Sequence, residues 1–430
     1  MKAIFKTIIV SIITLEAKLI LKKHKPKIIA VIGSVGKTTT KDAIYTAIGP
    51  SLHVRKSQKT LNTEVGIPLT IVGCENGWLN PLTWLKNIFH GIYVLLLETN
   101  YPDWLIIEVG ADRPGDISNI ARWLKPDTIV VTRFPDIPVH VEYFVSPEEL
   151  IKEKCSIIEV AGPETKLVLN GDDPKVRSLK DTYNELKTTT FGLEKNNNFV
   201  ASNYQISQLH HIPTGIRFKV NHDGKSIPIH INGALGRQHI FPSLAAMAVG
   251  TMQGINLLEL GEALSNQETP PGRMRLIPGI KKTIIIDDSY NSSPVAVDEA
   301  LNTLDTVRVD GKKIVVLGDM LELGKFSVDE HKRVGKAAAK ICDLFITIGF
   351  RARDMAQGAL LGGLHESKIL QYEDAQRAGK ELESFLEAGD IVLVKGSQSI
   401  RTERVVEEIM RDPQNKKDLL VRQEDEWIKR

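Results

Sequence analysis

AVIGSVGKTTTKDA, residues 30–43, sets a glycine-rich turn between a short apolar run and a segment that begins a helix near Lys37. A strand that passes through such a turn straight into a helix is the context that makes the turn a phosphate loop. Gly33 and Gly36 let the backbone fold close around an anion, and the helix start presents N–H donors. Lys37 adds a mobile positive charge that offsets charge on a transferring phosphoryl group, and Thr38 can offer its hydroxyl to Mg²⁺. Ser34 and Thr39 lie in the same turn and join Gly33, Gly36, Lys37 and Thr38 as candidate nucleotide-binding residues. The general Walker spacing would need glycine at Val31, so this is the shorter GxxGKT form.

Outward from that turn, apolar strands alternate with helical segments as far as Leu193: LIIEVGA (105–111), TIVVTRF (128–134) and LVLNGDD (167–173) are strands. This is the rhythm of a mostly parallel α/β sheet. Between Phe199 and Gly233 the texture changes to alternating residues that read as a small antiparallel β layer. The turn-rich NQETPPGRMR (266–275) marks a domain boundary, and beyond it KTIIIDD, KKIVVLGD, LFITIGF and DIVLVKG alternate with helices as a second, smaller Rossmann-like α/β domain. The expected organisation is 1–26, a helix; 27–268, a central P-loop domain; 269–412, the smaller α/β domain; and 413–430, a charged tail or frayed helix.

A chain of 430 residues is too long for a single core, which agrees with two main domains. With 42% hydrophobic and 25% charged residues and a formal charge of +2, it reads as an ordinary globular protein, and nucleic acid is excluded as a first partner. Cys74, Cys155 and Cys342 form neither a CxxC pair nor an even framework, so they are read as packing residues in a reducing cytoplasm. The opening segment MKAIFKTIIVSIITLEAKLILKKHKPK is basic and apolar, but Lys6, Glu16 and Lys18 interrupt it and its apolar run is too short to cross a bilayer. Phe5, Ile8, Ile9, Ile12, Ile13 and Ile20 recur at helical spacing, so it is expected to be an amphipathic helix. It would lie on the protein or, as the alternative, peripherally on the inner face of the membrane.

Glu108 ends a strand at the carboxyl edge of the sheet, where ligands of open α/β folds collect, and a carboxylate there can hold Mg²⁺. His140 lies just past another strand end, and Lys154 follows fourteen residues later inside a helix.

GSVGKTTT resembles the ATP loop of the Mur ligases and folylpolyglutamate synthases, and NTEVGIPLTIVG (62–73) is similar to a downstream stretch of many Mur ligases. IIIDDSYNSSP (284–294) and VVLGDMLELGKFSVDEHKRVG (315–335) are similar to the DDSYNANP and LGDMLELG signatures of the family branch that adds D-alanyl-D-alanine, with His331 as its later histidine. The resemblance spans about residues 27–412. It implies an ATP-dependent ligase of peptidoglycan precursor synthesis, and so a role in cell shape and division. The reaction implied activates a carboxylate as an acyl phosphate and joins D-Ala-D-Ala to a muramyl peptide.

The same resemblance implies roles for single residues. Asn62 would contact nucleotide, with Thr63 standing where the family has a second asparagine. Glu108, Thr38, His140 and Lys154 would hold two Mg²⁺ ions, Lys154 after CO₂ converts it to a carbamate, with Glu142 in support. Lys152, two residues away on another helix face, would be an ordinary solvated lysine. His239 and Pro242 replace the asparagines that approach adenine; Arg273 would reach the ATP phosphates; Asp288, Tyr290 and Asn291 would contact nucleotide; and Gln398 replaces an arginine. Lys37, Lys154, His140 and Arg273 are the candidate catalytic group. Fewer than thirty residues precede the first strand, so the family's UDP-binding front domain is expected to be lacking, which leaves open whether a partner subunit supplies it. A different or lipid-linked acceptor, and a non-catalytic nucleotide-binding subunit, are the alternative readings.

Overall fold

The computed structural model describes Lys2 to Trp427 except Lys59, Thr60, Trp78, Leu79, Val139, Gln267, Glu268, Asp425 and Glu426, with side chains from Ile8 onward. The expected boundary at Glu268 and the side chain of Phe5 therefore lie outside the described residues.

The first sheet is built around β1 (Lys27–Ile32), whose Ile29, Ala30, Val31 and Ile32 are fully buried. A continuous apolar run of this kind is what a strand covered on both faces requires. Next come β2 (Val54–Lys56), β3 (Trp104–Glu108), β4 (Thr128–Val131), β5 (Lys166–Asn170), β6 (Lys187–Gly192), β7 (Phe199–Leu209), β8 (Ile212–His222) and β9 (Lys225–Asn232). Among the described residues they form one nine-stranded sheet in the order β2-β3-β1-β4-β5-β6-β7-β8-β9. Pairing is parallel from β2 to β7 and antiparallel through β8 and β9. The antiparallel strands thus continue the main sheet through the β6–β7 pairing and do not stand apart as a separate layer. Val31 pairs with both Glu108 and Val130, which brings the ends of β1, β3 and β4 to the same carboxyl edge.

The second sheet comprises β10 (Arg275–Pro278), β11 (Ile284–Asp288), β12 (Lys313–Gly318), β13 (Leu344–Ile348), β14 (Ile369–Tyr372) and β15 (Ile391–Lys395), in the order β10-β11-β15-β12-β13-β14. Only the edge pair β10–β11 is antiparallel. One apolar core runs from Val31 and Ile44 through Leu244 and Val249 of the helix Ile240–Met252 to Ile286, Leu301 and Val315 of the second half, so the two halves share a packed interior.

Six helices of the first half matter below: α1 (Lys2–His24), α2 (Lys37–Ile48), α3 (Gly66–Val72), α4 (Pro81–Leu96), α5 (Asp116–Ala121) and α6 (Pro147–Glu159). α1 packs on α3 and α4, burying Ile9, Ile13, Ala17 and Ile20. Ile8 and Ile12, grouped with them by spacing, point outward. No helix of the described residues is long and apolar enough to cross a membrane.

The chain after residue 412, expected as a tail or frayed helix, folds back. Leu420 is buried, and the buried Arg422 guanidinium donates to Ser289 O at 3.1 Å and to Glu403 Oε2 at 2.9 Å. An arginine buried with a carboxylate partner fixes its segment, which a charge-rich sequence without periodicity does not announce.

Candidate active site between the two sheets

The loop after β1 turns sharply because two glycines permit it. At Gly33, φ is +133° and an added Cβ would sit 2.0 Å from Thr132 Oγ1, so no side chain fits between the loop and the end of β4. Gly36, with φ of +84°, then reverses the chain into the first turn of α2. Ser34 N donates to Arg133 O at 2.8 Å, tying the loop to the segment beyond β4.

These residues open onto a cleft of about 720 Å³ walled by both halves of the molecule. From the first half, Ser34, Gly36, Lys37, Thr38, Asn62, Glu108, His140 and Lys154 line it; from the second, Arg273, Tyr290 and Asn291. Among the residues picked out from the sequence, Gly33, Thr39, His239 and Asp288 do not reach its wall. Asp288 instead lies behind it, accepting from Lys395 Nζ at 2.6 Å across the β11–β15 pairing, while Lys395 faces the cleft. His239 is buried with Nε2 3.1 Å from the Arg273 carbonyl. A carbonyl only accepts, so Nε2 carries the proton here. Burial pushes the ring's pKa down to about 4, so it is neutral. His239 thus steadies the backbone of Arg273, whose guanidinium stacks 3.9 Å above the Tyr290 ring.

At the end of β3, Glu108 Oε1 accepts from Asn62 Nδ2 at 3.1 Å. Its Oε2 is buried with no hydrogen bond, 3.9 Å from Lys41 Nζ. A desolvated carboxylate oxygen without a donor is costly unless something cationic completes it. Among the described residues no group of three or more His, Cys, Asp or Glu side chains forms a ready cage for a metal. Mg²⁺ needs none: it commonly takes one or two protein oxygens and completes its shell with phosphates and water. Glu108 Oε2 and the Thr38 hydroxyl fit that requirement.

His140 is held between two carboxylates, Nδ1 2.8 Å from Glu322 Oε2 and Nε2 3.5 Å from Asp112 Oδ1. Glu322 belongs to the second half, so this contact also bridges the cleft. The His140 ring keeps the Glu322 carboxyl below its ordinary pKa. Glu142 is exposed and does not line the cleft. Lys154, on α6, is buried with Nζ 2.9 Å from Ser34 Oγ, while Lys152 is exposed. Desolvation, and then the nearby Lys37 charge, drive the Lys154 pKa well below that of a free lysine. Lys37 is itself lowered by desolvation, opposed by Glu108 and reinforced by Arg273. As an ammonium, Lys154 would repel a cation beside His140; as a carbamate it would attract one.

Sequence reasoning passed over Asp112, Glu322, Lys395, Ser397, Arg401 and Trp427, all of which line the cleft. The first five lie in or beside motifs that could have flagged them. Trp427, whose carbonyl accepts from Arg401 at 2.8 Å, carries no local signal at all.

The Mur ligase middle domain matches residues 31–250, and the Mur ligase glutamate ligase domain matches residues 272–398. The chain belongs to the Mur ligase family. Mur ligases are ATP-dependent ligases, and so is this chain. It is similar to the UDP-N-acetylmuramoyl-tripeptide--D-alanyl-D-alanine ligase of Bacillus subtilis (strain 168), with 28% identity over 399 residues, 92% of this chain and 79% of that protein. In fold it is similar to MurF from Acinetobacter baumannii, with a TM-score of 0.76 and 20% identity over 93% of this chain and 79% of that one. It is also similar to the MurF ligase of Thermotoga maritima in complex with ADP, with a TM-score of 0.74 and 24% identity over 93% of this chain and 83% of that one.

Proposed function

We propose that this Mur ligase joins D-alanyl-D-alanine to the tripeptide of a UDP-linked muramyl precursor, in the cytoplasm where ATP is supplied. The observation that carries the reading is the single cleft in which Lys37, Glu108 and Lys154 from the first half face Arg273 and Asn291 from the second. Similarity to the Bacillus subtilis ligase over most of both chains supports this choice of substrates.

A tripeptide carboxylate oxygen attacks the γ-phosphorus of ATP, forming an acyl phosphate and releasing ADP. The free amine of D-Ala-D-Ala then attacks the acyl carbon, expels phosphate and loses its extra proton. The loop N–H groups from Val35 to Thr38 cradle phosphate oxygens, and Lys37 and Arg273 offset the charge that builds during transfer. Bound Mg²⁺, held by Thr38 and Glu108, would screen phosphate charge. A carbamate on Lys154 would join His140 in holding a second ion, and burial favours the neutral amine that reacts with CO₂. Asn62 orients Glu108, and the Arg273–Tyr290 stack fixes a cation at the cleft wall. Walls from both halves keep water from the acyl phosphate.

The test is phosphate release by purified protein given ATP, Mg²⁺, UDP-MurNAc-tripeptide and D-Ala-D-Ala, with the amide product followed by mass. Release that needs both substrates is expected; release with neither product nor dependence on D-Ala-D-Ala would overturn the substrate assignment.

A further inference from the structure

α1 and α4 lie side by side. Lys23 Nζ donates to Leu95 O at 2.8 Å, and the Glu16 carboxylate fills the space where a Cβ on Gly91 would stand. α4 buries Trp84, Asn87, Gly91 and Val94 on one stripe. Its opposite stripe is apolar and exposed: Leu82 is 75%, Phe89 63% and Leu96 68% accessible, with Leu85 and Ile92 between them. α1 does the same, burying Ile9, Ile13 and Ile20 while exposing Ile8, Ile12, Leu15 and Leu19. Scattered exposed leucines need no explanation, but two adjacent helices that both turn a full apolar stripe to solvent mark a surface that something covers.

Charge identifies what covers it. Between Ile8 and Leu96 these two helices expose Lys18, Lys22, Lys23 and Lys86, and their one acidic residue, Glu16, is turned inward and buried. A second copy of the chain on a two-fold axis would set these lysines against one another. Apolar stripes flanked by lysines with no exposed acid are the chemistry of a helix pair lying flat in a lipid interface, its lysine stems reaching back to anionic headgroups. Neither helix is long and apolar enough to span a bilayer, which leaves contact with one leaflet.

We propose that the outer face of α1 and α4 docks the ligase on an anionic membrane surface. The contact uses residues that are not in the cleft lining, so it stands or falls independently of the substrate assignment. The experiment is co-sedimentation of the full chain with vesicles of phosphatidylcholine, alone or mixed with phosphatidylglycerol. Binding is expected to the mixed vesicles, to weaken as salt screens the lysines, and to fall about tenfold or more in the double variant Leu85→Glu/Phe89→Glu. The melting temperature and nucleotide binding of that variant serve as the check that it folds. Wild-type protein that stays in the supernatant with both vesicle types would overturn the proposal. So would equal sedimentation of the variant, or light scattering that shows a dimer which the variant disperses.

Discussion

At Lys154 a single side chain carries two incompatible demands, burial and nearness to another cation. Its Nζ rests 2.9 Å from Ser34 Oγ and 2% of the residue is exposed. Both desolvation and the Lys37 charge favour loss of its proton. Both therefore favour the free amine, which is the form that adds to CO₂. Lys154→Arg keeps length and charge but cannot form a carbamate, so ligase turnover is expected to fall about 100-fold or more, with nucleotide binding retained. In ¹³C-bicarbonate the wild-type protein should show a carbamate carbonyl resonance that the variant lacks. A variant with near-normal turnover would remove the carbamate from the mechanism. Sequence could separate Lys154 from Lys152 only through family resemblance, because what distinguishes them is burial. The same limit applies at His239, where resemblance pointed to adenine and the structure shows a neutral ring bonded to the Arg273 backbone.

Among the elements, the sheet strands were legible and the helix surfaces were not. β1, β3 and β4 announced themselves by uninterrupted apolar runs that a doubly covered strand requires. For α1, spacing grouped Ile8, Ile9, Ile12 and Ile13 on one face, whereas the folded helix divides them, because it is apolar nearly all round. Its burial has a cost that pH should expose. Glu16, with Oε2 buried and unbonded, has its pKa raised by desolvation from 4.5 to about 7. Folded protein then holds a proton that the unfolded chain has released, so this site is favourable below about pH 4.5 and loses that stability as pH rises through about 7. Glu16→Gln removes the titration. At pH 8 the variant is expected to be more stable than wild type by about 1–2 kcal/mol after allowing for solvent screening, and the gain should vanish near pH 4. Thermal melts of both proteins at the two pH values measure it, and a gain that does not depend on pH would assign the effect to packing.

For the whole molecule, the question is how two sheets with separate motifs come to share one cleft. Sequence located the motifs of both halves, yet it could not say that Arg133 and His140, beyond β4, meet Glu299 and Glu322 of the second half. Neither meeting has a sequence period; each depends on the shared core between the halves and on the path of the chain through Arg273. Arg133 donates to Glu299 at a short distance, and burial raises the Glu299 pKa while Arg133 opposes that rise. Neither group is in the lining of the cleft, so they act as a latch and do not touch the reacting atoms. Glu299→Gln weakens the latch at little cost in volume. Stability is expected to change by no more than about 1 kcal/mol, since Arg133 is 40% exposed and can return to water. The KM for ATP should rise about three- to tenfold while kcat changes less, because the variant lowers the fraction of molecules already arranged for nucleotide. Small-angle scattering without nucleotide should show a larger radius of gyration for the variant, converging on the wild-type value when ATP and Mg²⁺ are added. If radius and KM both stay unchanged, the packed core alone holds the halves together, and the ion pair is an incidental surface contact.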